Sequence, residues 1–192
     1  MNAAQTRPHG FLMQITYLRI ALVPIVMALI LVGDTVSRAY AIAAALFAVA
    51  ALTDFFDGYL ARRWRTTTKL GSFLDTTADK FLVAGVLIAL VAVGRASPWF
   101  AAIIVGRELL ILGLRGVVAA DGTVMPPSIW GKLKAVVQFI AIGLAIVRWR
   151  RDVGPFYIDE WAMGIAAFVT LMSAVEYLSR FSGVLRGATT HR

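Results

Sequence analysis

Apolar runs of bilayer-crossing length recur six times along this 192-residue chain, near Thr16–Val32, Arg38–Ala61, Ser72–Val93, Pro98–Ala119, Trp130–Trp149 and Tyr157–Leu178. A helix needs about 20 mostly apolar residues to cross the hydrocarbon, where backbone N–H and C=O groups must be satisfied within the protein. The pattern predicts an all-α integral membrane protein of six transmembrane helices, a single domain over 1–192. Gly33-Asp34, Gly94–Ser97 and the stretch from Asp121-Gly122 to Pro126-Pro127 punctuate the runs as turns. Residues 1–15, with Phe11, Leu12 and Ile15, suit an amphipathic juxtamembrane helix, and 180–192 a polar tail. No small-residue cleavage site cleanly follows the long first run, so it reads as a retained helix rather than a signal peptide.

Composition narrows the chemistry. Hydrophobic residues make up 59% of the chain and charged ones only 16%, below the charge of soluble domains. Cysteine is absent, which excludes a disulfide framework, a thiolate metal site and a cysteine nucleophile. A metal would need oxygen or histidine ligands, and the two histidines, His9 and His191, lie near the termini. The net charge of +8 is spread between the spans, a distribution that fits anionic headgroups and speaks against nucleic-acid binding. Arg62, Arg63, Arg65, Lys69, Lys132, Lys134, Arg180, Arg186 and Arg192 share one side of a six-span arrangement. Against Arg38, Arg95, Arg148, Arg150 and Arg151 on the other side, they predict cytoplasmic termini.

Four carboxylates break the apolar pattern. Asp54 and Asp57 fall late in the second run, and Asp75 and Asp79 early in the third. At about 100° per residue, the first pair lies about 60° apart on its helix and the second about 40°. Two adjacent antiparallel helices thus present carboxylate pairs toward one membrane face, an oxygen array suited to Mg²⁺ or Mn²⁺. Structural ion pairs with Arg62, Lys80 or Arg107 are the competing account. Burying carboxylates costs about 2.5–3.5 kcal/mol each at a span's centre, and clustered ones also repel without a cation or protons. Gly58 and Ala61 share the face of the first pair, Gly71 precedes the second, and the fork of Arg62 suits a phosphate.

Written out, Asp54-x-x-Asp57-Gly58-x-x-Ala61-Arg62, eight residues, then Gly71-x-x-x-Asp75-x-x-x-Asp79 resembles the signature of the CDP-alcohol phosphotransferases, with every defining position filled. The resemblance implies six transmembrane helices, usually in a homodimer, with a cavity open to the cytoplasm at the inner membrane. It implies that Asp54, Asp57 and Asp75 bind metal, two ions of Mg²⁺ or Mn²⁺, and that Asp79 is the general base and touches the same site. Asp54, Gly58, Ala61, Arg62 and Gly71 would hold the CDP-lipid. A hydroxyl would displace CMP from that lipid.

A second polar set bears on the acceptor. It comprises Gly106-Arg107-Glu108-Leu109, Leu114-Arg115 and Trp130-Gly131-Lys132-Leu133-Lys134. Cations beside a metal–carboxylate site suggest an acceptor that carries its own phosphate. Snorkelling lysines and an Arg107–Glu108 bridge stapling helices are the alternatives. These segments resemble those of the family's bacterial phosphatidylglycerophosphate synthase branch, from about Thr16 to Glu176, with Thr16, Arg19 and Pro24 also in place. Leu12-Met13 and Ala135 depart from that branch's usual Pro-Asn and Thr. The resemblance implies CDP-diacylglycerol and glycerol 3-phosphate as substrates, with Arg107, Arg115, Lys132, Lys134 and Arg19 as candidates for the acceptor's phosphate. Inositol phosphate, serine and phosphatidylglycerol are rival acceptors, and a divalent-cation transporter is the rival of another class.

Overall fold

The computed structural model describes residues 7–64, 69–120, 129–148, 152–153 and 155–189. Six helices carry the fold: α1 (Arg7–Leu31), α2 (Ala39–Trp64), α3 (Lys69–Ala92), α4 (Pro98–Ala120), α5 (Ile129–Val147) and α6 (Ile158–Thr189). By length and apolar content, Met13–Leu31, Ile129–Val147 and Ile158–Ser182 each suffice to cross a membrane, and Ala39–Thr53 is a shorter apolar helical stretch. The protein is a helical membrane protein, as the hydropathy pattern predicts.

Boundaries differ from expectation where helices extend into polar sequence. Residues 7–15, expected as a separate juxtamembrane segment, run unbroken into the first span. Pro8 sits in the opening turn of α1, where a missing N–H breaks no helical bond. The basic connection expected between Arg62 and Ser72 is shorter, because Arg62 and Arg63 close α2 and Lys69 opens α3. Cations in a last helical turn complement the helix dipole. The expected tail from 180 is helical to Thr189. Its first turn is tied by Arg180 Nη2 donating to Glu176 Oε1 at 2.6 Å, four residues back.

The chain divides into two compact units, Met1–Arg95 and Ala96–Arg192. In the first, α1 packs against both α2 and α3. Val23, Val26 and Ile30 of α1 are fully buried, as are Ala39 and Ala43 of α2, with Phe47 and Ala50 nearly so. The small side chains of Ala39, Ala43 and Ala50 on one face let helices approach closely, which lipid-embedded packing favours over bulk. Gly85 of α3 meets α1 so tightly that an added Cβ would lie 2.7 Å from Val23 Cγ1 and 2.9 Å from Met27 Sδ. At one end, Arg95 stacks on the Tyr40 ring at 3.3 Å from its centroid. The same guanidinium lies 3.7 Å from Asp34, whose carboxylate accepts from the Tyr40 hydroxyl at 3.0 Å. This knot ties the α1–α2 turn to the end of α3.

In the second unit α6 packs against α4 and α5. Ile104, Ile111 and Val118 recur every seventh residue on the buried side of α4. A short antiparallel pair not expected from the sequence, β1 (Asp152–Val153) with β2 (Phe156–Tyr157), joins α5 to α6. Arg148 ends α5 with a left-handed φ of 47°, and its guanidinium lies 5.6 Å from the Tyr157 ring. Glu160 accepts from the Tyr157 N–H at 3.0 Å, which caps the start of α6. The outward faces remain apolar, with Phe73, Phe81 and Ile88 of α3 and Leu171 and Val175 of α6 all exposed. Such patches suit lipid rather than water.

Candidate active site

The first unit carries the carboxylate motif. Asp54, Asp57, Gly58, Ala61 and Arg62 lie on the continuous helix α2, and Gly71, Asp75 and Asp79 on α3. The helical backbone through both pairs preserves the one-turn spacing on which the metal-site expectation rests. The side chains of Asp54, Asp57, Ala61, Arg62 and Asp75 lie outside the described part. Asp79 is described: its side chain is about a quarter exposed, with Oδ2 at 3.8 Å from the Lys80 ammonium. That distance lies at the outer limit of an ion pair. Next to it Ala78 and Leu82 are buried, so Asp79 borders the unit's core. Arg19, on α1, is 2% exposed, and Thr16 one turn earlier is buried too.

The second unit brings together three cations of the other polar set. Arg107, Glu108 and Lys134 are buried. Lys134 of α5 donates to Glu108 Oε1 of α4, and Arg107 Nη1 reaches the same oxygen at 3.3 Å. Arg107 Nη2 donates to the Ser173 hydroxyl of α6 at 2.6 Å, while its Nε is buried without a hydrogen-bond partner among the described residues. Arg115 donates through Nε, at 2.9 Å, and through Nη2 to the Tyr177 hydroxyl. The Tyr177 ring lies 5.8 Å from the Arg107 guanidinium and 5.2 Å from that of Arg115.

Burial separates the two lysines. Lys134 faces the interior, whereas Lys132 is exposed. Two residues of helix rotate the side chain by about 200°, so the separation was readable from spacing. The alternatives raised for these residues divide the same way: Lys132 suits a snorkelling position, Lys134 does not. The Arg107–Glu108 bridge is present, extended by Lys134 into a link between α4 and α5. Sequence reasoning missed Ser173 and Tyr177. Their signal was the polar series Thr170, Ser173, Tyr177 at helical spacing within an apolar run.

Electrostatically the cluster is unbalanced. Among the described residues, the buried Arg107 and Lys134 share the carboxylate of Glu108, while Arg115 is exposed and adds its charge at the Tyr177 hydroxyl. Two buried cations on one carboxylate leave one positive charge in excess away from water, which favours an anion, and a phosphomonoester carries about −1.5 to −2 at neutral pH.

Long apolar helices, with carboxylate pairs on α2 and α3 and a buried Arg107–Glu108–Lys134 cluster on α4 and α5, are the features of a membrane-embedded protein with polar sites inside its spans. The chain belongs to the CDP-alcohol phosphatidyltransferase family, whose profile matches residues 13–172. It is 38% identical over 178 residues to the CDP-diacylglycerol–glycerol-3-phosphate 3-phosphatidyltransferase of Bacillus subtilis, covering 87% of this chain and 92% of that protein. A probable phosphatidylglycerophosphate synthase of Mycobacterium tuberculosis is 39% identical over 168 residues, 86% of this chain and 78% of the relative. The phosphatidyltransferase of Shigella flexneri, of the same name as that of Bacillus, is 42% identical over 142 residues, 71% of this chain and 76% of its own length.

Proposed function

We propose that the protein transfers the phosphatidyl group of CDP-diacylglycerol to sn-glycerol 3-phosphate, forming phosphatidylglycerophosphate and releasing CMP. The observation that carries the choice of acceptor is the cation cluster of α4 and α5, with Arg107 and Lys134 buried on Glu108 and exposed Arg115 held on Tyr177. Serine brings no phosphate to neutralise it. The relatives named for glycerol 3-phosphate as acceptor support the same choice.

In the first unit, Asp54, Asp57, Asp75 and Asp79 are the residues to hold Mg²⁺ or Mn²⁺. Their all-oxygen donor set and one-turn spacings fit a hard divalent cation, and the family is in general metal-dependent. When bound, the metal neutralises the diphosphate and stabilises the departing phosphate of CMP. Gly58, Ala61, Arg62 and Gly71 accommodate the nucleotide and its diphosphate, Arg62 through charge-assisted bonds. Asp79 takes the acceptor's hydroxyl proton as that oxygen bonds to the phosphatidyl phosphorus. The phosphorus–oxygen bond to CMP breaks, and CMP leaves with the electron pair.

In the second unit, Arg107, Arg115 and Lys134 bind the phosphate that the acceptor retains, and exposed Lys132 adds attraction from outside. The same reading places the enzyme in the inner membrane as a homodimer, its reacting groups toward the cytoplasm. The basic residues Arg62, Arg63, Lys69, Lys132 and Lys134 support that orientation.

The test supplies purified protein with CDP-diacylglycerol, Mg²⁺ and one candidate acceptor at a time, measuring CMP release. Glycerol 3-phosphate is expected to be the fastest acceptor. Faster turnover with serine, inositol phosphate or phosphatidylglycerol overturns the assignment. Metal flux into liposomes without any CMP release overturns the reaction class.

A further inference from the structure

We infer that Tyr177 is a positioning residue for the acceptor's phosphate, fixing two arginines of the pocket through one ring and one hydroxyl. The inference rests on the reading of Arg107, Arg115 and Lys134 as the phosphate-binding set.

Helix α4 alone does not hold its arginines together. Arg107 and Arg115 are eight residues apart, about 80° round the axis and about 12 Å along it. Their guanidiniums repel, and each long side chain has several rotamers to lose when it is ordered. What they share is on α6. The Tyr177 ring lies within 6 Å of both guanidinium carbons, at 5.8 and 5.2 Å, where the negative face of the ring offsets their mutual repulsion. Its hydroxyl accepts from Arg115 twice, through Nε and Nη2. Ser173, one turn earlier on the same helix, holds Arg107 by Nη2. Tyr177 is 3% exposed, so the ring is itself locked by packing.

The arginines are therefore ordered before any anion arrives. Their loss of rotamer freedom is met on folding and not on binding, which tightens the acceptor complex without a further contact to it. Among the described residues the buried Nε of Arg107 has no hydrogen-bond partner. Tyr177 thus acts through the arginines, and its effect belongs in the acceptor's KM.

Tyr177→Phe is the discriminating variant, because it keeps the ring and its volume and removes only the oxygen that Arg115 grips. We expect the KM for glycerol 3-phosphate to rise about 5- to 10-fold, as for a weakened charged hydrogen bond. The inhibition constant of inorganic phosphate should rise in parallel, with kcat and the KM for CDP-diacylglycerol within about twofold of the parent. Tyr177→Leu, which also removes the ring beneath both guanidiniums, should raise the acceptor KM about 30-fold or more. Unchanged acceptor KM and phosphate inhibition in Tyr177→Phe, with both raised in Arg115→Ala, overturn the positioning role and leave the acceptor reading standing. A joint loss of melting temperature, kcat and both KM values in Tyr177→Phe also overturns it, since that is the signature of a core residue alone. Should Arg115→Ala and Lys134→Ala themselves leave acceptor kinetics unchanged, the acceptor reading fails and the inference falls with it.

Discussion

Lys134 of α5 donates its ammonium to the carboxylate of Glu108 on α4, and both side chains are nearly withdrawn from solvent, 11% and 6% exposed. A buried pair of this kind adds little by itself relative to apolar packing, but losing one member strands a charge. Glu108 also receives Arg107, so it is the counter-ion for two cations at once.

Glu108→Gln should therefore destabilise the protein by about 3–5 kcal/mol, the range for breaking a buried pair. Inorganic phosphate should recover more of the melting temperature in this variant than in the parent, because it supplies the missing anion. Thermal unfolding in detergent, with and without phosphate, measures both effects. An unshifted melting temperature would show that the cluster does not depend on Glu108.

Lys134→Ala and Lys132→Ala should part company. Loss of a charged hydrogen bond to substrate corresponds to about 1.5–3 kcal/mol, so Lys134→Ala should raise the acceptor KM about 10- to 100-fold. Lys132 is exposed, and its removal should raise KM less than about threefold, an effect that salt screens away. Steady-state kinetics at two ionic strengths distinguish the two. Equal effects would contradict the division by burial.

Asp79→Asn keeps the shape of the side chain and removes its basicity. General-base assistance typically supplies about 10²–10⁴ in rate, and kcat should fall by at least that factor while both KM values change little. Chelation of divalent metal should abolish CMP release in the parent, with recovery on adding Mg²⁺ or Mn²⁺. A variant with near-normal kcat refutes the assignment of the base.

Gly85→Val should destabilise by about 1–3 kcal/mol through overpacking, read as a lower melting temperature. The added Cβ would fall 2.7 Å from Val23 Cγ1, and Val23 is fully buried on a stiff β-branched side chain. Kinetic constants of the folded fraction should be unchanged. Full stability would mean that α1 and α3 can separate at no cost.

Much of the fold was legible without coordinates, because hydropathy is a local property. A run such as Ile129–Val147 meets the bilayer's requirement whatever it packs against. Where the helices end was less legible, since Arg62, Arg63, Lys69 and Arg180 are polar yet helical. Hydropathy marks the edge of lipid, and helices continue beyond it when dipole and side-chain pairs support them.

The candidate site divides along the same line. The spacing of Asp54, Asp57, Asp75 and Asp79 is written in the chain, and a helix converts it to angles by fixed geometry. The sequence also showed that Arg107, Arg115, Lys132 and Lys134 are cations in apolar surroundings. It determined the spans, the carboxylate pairs and the family. Tertiary structure alone decided that Lys134 turns inward onto Glu108, and that Ser173 and Tyr177, 66 and 62 residues from their arginines, accept from Arg107 and Arg115. Such pairings depend on how α4, α5 and α6 pack, and a buried cation takes whichever oxygen or ring that packing brings within reach.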